Sequence, residues 1–171
     1  MNRRIFMHTA VAAPLLAGSV GVAEAKDSTR SKYLAVEEAM ITSWRRKDLA
    51  GLLAHIDDDI VWHSHVGSPP LVGKAAMSDF AGKLLGQMND IRWRIFAAAA
   101  AGDRLYVEGV DDFVTAEGRR IVIPYEGVLV FRGSKVCEWR DYFDRGLFDR
   151  LKAGEPLPDY LVPLTTRTPL F

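Results

Sequence analysis

An α+β fold, a curved antiparallel sheet covered on one face by helices, is what the sequence predicts, and three observations lead there. Apolar residues recur at helical spacing up to about Leu84 and at a period of two from Ile91 onward. The second half is punctuated by the turn pairs Gly102-Asp103, Glu117-Gly118 and Gly133-Ser134. Length and composition, 171 residues with 49% hydrophobic and 26% charged, describe one globular domain able to bury a substantial core. Helices first and strands last, with one strand interposed among the helices, place the helices together on one face of the sheet.

The N-terminus stands apart. Arg3 and Arg4 precede an apolar run from Ala10 to Val22 and the small-residue pattern Ala23-Glu24-Ala25, so residues 1–25 read as a signal peptide. The order Asn2-Arg3-Arg4-Ile5-Phe6-Met7 resembles a twin-arginine export signal, a Sec signal that carries two arginines being the alternative, and either predicts a periplasmic or secreted protein. The apolar run is too short to span a bilayer as a helix and no later segment is longer, so no membrane partner is expected. Lys+Arg and Asp+Glu balance at 22 each, and removal of residues 1–25 leaves a net charge of about −1, which excludes nucleic acid as an expected partner. A single cysteine, Cys137, cannot form an internal disulfide, so stability must come from the core.

The main domain is expected over residues 26–150. Tyr33, Val36, Met40, Ile41 and Trp44 recur at helical spacing, with Glu37 and Glu38 assigned to the outer side. Asp48 is suited to cap a second helix carrying Leu49, Leu52, Leu53 and Ile56. Asp57-Asp58-Asp59 then reads as a solvated turn before a strand over Ile60–His65. Gly67-Ser68-Pro69-Pro70 is a loop, and a third helix follows from about Lys74 with Met77, Phe80, Ala81 and Leu84 inward. Ile91–Ala97, Arg104–Thr115, Arg120–Phe131 and Val136–Phe143 form an antiparallel meander. The tail, residues 151–171, carries prolines at 156, 158, 163 and 169 and is expected as an irregular arm after an amphipathic turn around Leu147, Phe148 and Leu151.

Alternation along a strand fixes which side chains share a face. Val107, Gly109, Asp111 and Phe113 point one way, and Glu108 and Asp112 the other. Cys137, Trp139 and Asp141 share a face in the last strand. Ile123, Tyr125, Gly127 and Leu129 are the matching set in the strand between, and Val61, His63 and His65 form the set in the first strand. A lone Asp near a strand end is by itself more often a solvated or turn-capping residue. Spacing alone does not bring these faces together.

The run Trp139-Arg140-Asp141-Tyr142-Phe143-Asp144, with Glu108-Gly109-Val110-Asp111 and with Pro69-Pro70 and Gly73-Lys74, resembles limonene-1,2-epoxide hydrolase and its SnoaL-like relatives in the NTF2-like superfamily. The resemblance covers about Tyr33 to Phe148. It implies an NTF2-like cone, a strongly curved antiparallel sheet packed against three N-terminal helices around a deep pocket, in a homodimer without a cofactor or bound metal. It also implies Asp111 as the acid and Asp141 as the base that activates water. The family arginine that bridges the two carboxylates falls on Gly109 here, and the family's water-holding Tyr and Asn fall on His63 and His65. The catalytic set is therefore expected to be Asp111, Asp141, His63 and His65, with Tyr125, Trp139, Ile123, Leu129 and Phe113 against a small apolar molecule. Two carboxyls in one apolar cavity do not both ionise cheaply, which separates an acid from a base. Water addition to an epoxide is the first expectation and proton transfer on a small carbonyl compound the second. Non-catalytic binding of a hydrophobic ligand, or a metal held by His63, His65, Asp111 and Asp141, are the alternatives.

Overall fold

The computed structural model describes residues 19–171, with side chains from residue 28 on. The expected signal peptide therefore falls outside the described residues, apart from the helical backbone of residues 19–25. Three helices cover one face of the sheet: α1 (Ser19–Arg46), α2 (Leu49–Leu53) and α3 (Lys74–Gln87). The strands are β1 (Ile56–His63), β2 (Leu71–Val72), β3 (Met88–Asn89), β4 (Arg94–Ala101), β5 (Arg104–Thr115), β6 (Arg120–Arg132) and β7 (Lys135–Phe143). Helix α4 (Arg145–Ala153) and a 3-10 helix (Asp159–Thr165) follow. The sheet runs β2-β1-β7-β6-β5-β3, with β4 also on β5. Each meander pairing is antiparallel, whereas β1 lies parallel to β7. Among the described residues no helix is long and apolar enough to cross a membrane.

The meander forms as its periodicity requires, β5 having the bounds that alternation and the flanking turns mark out. Asp48 does cap α2, its carboxylate accepting from the Gly51 amide at 2.8 Å. That helix stops at Leu53, and Ile56, expected in it, opens β1 instead. The triple aspartate, expected as a solvated turn, belongs to β1 as well. Its charges are tolerated at the sheet margin because Arg132 pairs Asp57 at 3.1 Å and Lys74 pairs Asp58 at 2.5 Å. The core lies between the helices and the concave face of the sheet, where Met40, Ile41 and Trp44 of α1 meet Ile95, Leu105 and Ile121. The expected irregular tail is more ordered than its prolines suggest. Asp144 caps α4 through the Leu147 amide at 3.0 Å, and the 3-10 helix buries Leu161.

Candidate active site

Asp141 points to the concave face from β7, where it lies opposite Gly127 of β6. Both its oxygens are held. Trp139, two residues back on the same face, donates its indole N–H to Oδ1 at 2.7 Å. Trp62, which the parallel β1–β7 register sets beside Trp139, donates to Oδ2 at 3.2 Å. The two indoles stack with centroids 5.2 Å apart, so each fixes the other's orientation. Past the end of β1, the Val66 amide donates to the Asp141 carbonyl at 2.9 Å and ties that loop to the site. Burial pushes the Asp141 carboxyl up to about 7, and the two indole hydrogen bonds pull against that rise.

Asp111 comes from β5 onto the same cavity, and its carboxyl receives no hydrogen bond from another described residue. Burial, and then the charges of Asp141 and Glu37, hold its carboxyl well above the ordinary carboxylate range. Between them stands Tyr125, whose strand register places it across from Gly109. A Cβ at Gly109 would lie 2.5 Å from the Arg94 carbonyl oxygen and 2.9 Å from Tyr125 Cε1; one at Gly127 would lie 3.4 Å from Tyr125 Cε2. The tyrosine ring therefore fills the space cleared by two glycines, including the position where the resembling family carries its arginine. Burial, followed by the charges of Asp111, Glu37 and Asp141, raises its hydroxyl well above the usual value, so it stays a donor.

Glu37 joins this group. It was expected on the outer side of α1, but it is buried at 1% exposure, and its Oε2 makes no hydrogen bond. Burial and then the charge of Asp141 raise its carboxyl to about 8. The signal was present in the sequence: Glu37 precedes Ile41 and Trp44 by one and two helical turns and so sits on the apolar stripe itself. Its charge suggests the outer side, but its helical phase places it inward.

The cavity encloses about 360 Å³, within the usual size for a small-molecule site. Phe113, Ile123, Tyr125 and Trp139 line it as expected from alternation, whereas Leu129, expected with them, is wholly buried in the core and is not a lining residue. Trp44, Trp62 and Trp93 complete the walls, and Ser64, His65, Ser68 and Arg145 supply polar groups. His63 does not reach the cavity. It pairs with Arg140 on the face of β1 opposite Trp62, because the inward phase of that strand is Ile60 and Trp62. His65 does line the cavity, since the chain bends after His63, and its ring packs 4.8 Å from Phe143. The four-residue metal set given as an alternative is thus not assembled, and among the described residues no three His, Cys, Asp or Glu side chains converge to hold a metal.

On the opposite face of β5, Asp112 is fully buried and gripped by Arg120 at 3.1 and 2.9 Å and by Arg94 at 3.1 Å, with Arg92 at 3.5 Å. It anchors the sheet away from the cavity.

With this geometry in place, residues 38–139 match the SnoaL-like domain, more than half of the chain. No curated protein matches in sequence. Among solved structures, an LEH-like epoxide hydrolase from M. tuberculosis superposes with a TM-score of 0.63 at 20% identity, over 71% of this chain and 90% of that one. A putative isomerase from Bacillus subtilis gives 0.66 at 19% identity, over 76% and 99%. A putative polyketide cyclase from Xanthomonas campestris gives 0.59 at 19%, over 72% and 98%. At these identities the likeness is one of fold: the curled antiparallel sheet and helices of NTF2-like proteins.

Proposed function

The chain belongs to the SnoaL-like domain family, and from that premise we propose that its cavity performs general acid–base chemistry on a small apolar molecule, with Asp141 as base and Asp111 as acid. One observation carries the assignment. Asp141 receives two N–H hydrogen bonds, which favour its charged form, whereas Asp111 receives none and shares the same apolar cavity. Asp141 therefore ionises first and Asp111 keeps its proton. In water addition to an epoxide, Asp141 takes a proton from water as the water oxygen bonds to carbon. The carbon–oxygen bond of the ring breaks, and Asp111 gives its proton to the departing oxygen. The product is a diol.

A specific feature favours a second reaction for the same groups. Tyr125 stands where a bridging arginine would, so the donors around the base are neutral: a phenol and a protonated carboxyl. Neutral donors of that kind suit an enolate oxygen. Asp141 would then remove a proton beside a carbonyl and return it to another carbon, with Tyr125 and Asp111 holding the oxygen.

Turnover in ¹⁸O-labelled water or in deuterated water separates the two routes. Epoxide opening puts ¹⁸O in the product on the first turnover, and isomerisation exchanges carbon-bound hydrogen without adding oxygen. In either route Asp141→Asn is expected to lose about 10²- to 10⁴-fold in rate while binding persists. An Asp141→Asn variant with full activity overturns the proposal.

A further inference from the structure

The polar groups of the cavity fall into two sets. Asp111, Tyr125 and Asp141 stand on the strands among aromatic walls, whereas Ser64, His65, Ser68 and Arg145 come from the stretch after β1 and the first residue of α4. Because β1 and β7 run parallel, the segments that leave their C-terminal ends emerge side by side. The ring contacts agree: His65 packs on Phe143 at 4.8 Å, Phe143 on Phe148 at 6.2 Å, and the Arg145 guanidinium lies 5.1 Å from the Phe148 ring centre. This second set forms a rim where the cavity meets solvent, with Ser68 and Arg145 exposed and Ser64 and His65 half-buried.

The rim donors are uncommitted. Arg145 is the one Lys or Arg among the lining residues. Asp149 takes only its Nε, at 3.0 and 3.2 Å, so the two terminal nitrogens make no hydrogen bond to a described residue. That pair is more than half exposed on both sides, and an exposed pair of this kind holds a guanidinium weakly. Asp144, the carboxylate next to Arg145 in the chain, is turned to the Leu147 amide at 3.0 Å. Among the described residues no hydrogen bond engages the side chains of Ser64, His65 or Ser68.

The free fork of a guanidinium matches a carboxylate, two parallel N–H bonds to two oxygens. The same anion is unwelcome deeper in the cavity, where it would sit beside Asp111 and Asp141 without a cation. An apolar body, by contrast, belongs against Trp62, Trp93 and Trp139. We infer that the cavity takes a molecule with an apolar body and a terminal carboxylate, the body on the tryptophans and the carboxylate at the rim on Arg145, with the Ser64 and Ser68 hydroxyls beside it. This rests on the cavity of the proposed function and narrows its substrate class to carboxylic acids. Anchoring one end at the rim also fixes which carbon of the body faces Asp141.

Calorimetric titration of the full chain at neutral pH with two molecules of one shape tests this: octanoate, and octanamide, in which the charged head becomes a neutral amide. Octanoate is expected to bind about tenfold more tightly. Arg145→Gln should reduce that preference to less than about threefold. Asp149→Asn, which removes a like charge beside the bound carboxylate, should raise it by about threefold. Equal or tighter binding of the amide, absence of saturable octanoate binding, a full preference retained in Arg145→Gln, or no gain in Asp149→Asn overturns the inference. The wild-type comparison alone decides it should a variant fail to fold. A cavity that prefers the amide while Asp141→Asn is inactive removes the carboxylate ligand and leaves the acid–base reading standing. A cavity that prefers octanoate while Asp141→Asn is active does the reverse.

Discussion

Asp111 and Asp112 are neighbours on β5, project to opposite faces, and hold their protons in opposite ways. Burial alone would raise both. At Asp112 the hydrogen bonds from Arg120 and Arg94, with the charges of Arg120 and Arg92, outweigh burial and bring the carboxyl below its ordinary value. Its stabilisation is therefore present above the unfolded pKa and is lost as pH falls through the depressed folded value. Asp112→Asn leaves three arginines facing a neutral amide; a loss of about 3 kcal/mol in denaturant unfolding is expected at neutral pH, with a smaller difference from wild type in strong acid. At Asp141 the shortest donor is the Trp139 indole. Trp139→Phe keeps a ring but removes that N–H, so the carboxyl loses one of the two bonds that hold it down. The acid limb of the kcat/KM profile should move up by about one pH unit; an unmoved limb would mean that Asp141 is not the group titrating. None of this was legible at residue resolution. Alternation separates Asp111 from Asp112 correctly, yet it carries no information about which carboxyl meets three arginines and which meets none.

Strands were more legible than the junctions between elements. The meander strands follow their period-two runs and Gly-containing turns, because each pairs with its sequence neighbour and needs no distant information. Around β1 that advantage disappears. Its partner β7 is distant in sequence and parallel, and the chain bends after His63. His63 and His65 are thus separated in space although they have the same parity, and nothing in the pattern marks Trp62 as a donor to Asp141. The C-terminal segment shows the same limit. Four prolines suggest irregular chain, but Asp144 and Gly154 cap α4, Gly154 at a φ of 101°, and Leu161 anchors the 3-10 helix at 3% exposure. Leu161→Ala is expected to cost about 2 to 4 kcal/mol in thermal or denaturant unfolding. A change near zero would show that the tail is only draped on the domain.

For the molecule as a whole, the carboxyls of Glu37 and Asp141 set a pH dependence opposite to that of Asp112. Glu37, raised to about 8, and Asp141, raised to about 7, are protonated in the folded state at pH values where the unfolded chain has ionised them. Their contribution to stability is complete below the unfolded pKa and is lost as pH rises through the folded values, a window from about pH 4 to pH 8. Glu37→Gln removes one such group. The variant should match wild type near pH 5 and exceed it by on the order of a few kcal/mol near pH 9, as read from denaturant midpoints. A constant difference between the two across that range would mean that Glu37 is not protonated in the folded protein. The parallel β1–β7 junction reaches further still, into how far the site depends on distant chain. Each meander hairpin closes across a tight turn, whereas β1 meets β7 only across the whole intervening chain, a contact with a large loop-closure cost. Trp62 rides on that long-range pairing, so the second hydrogen bond to the Asp141 carboxyl is present only where the two ends of the sheet have met.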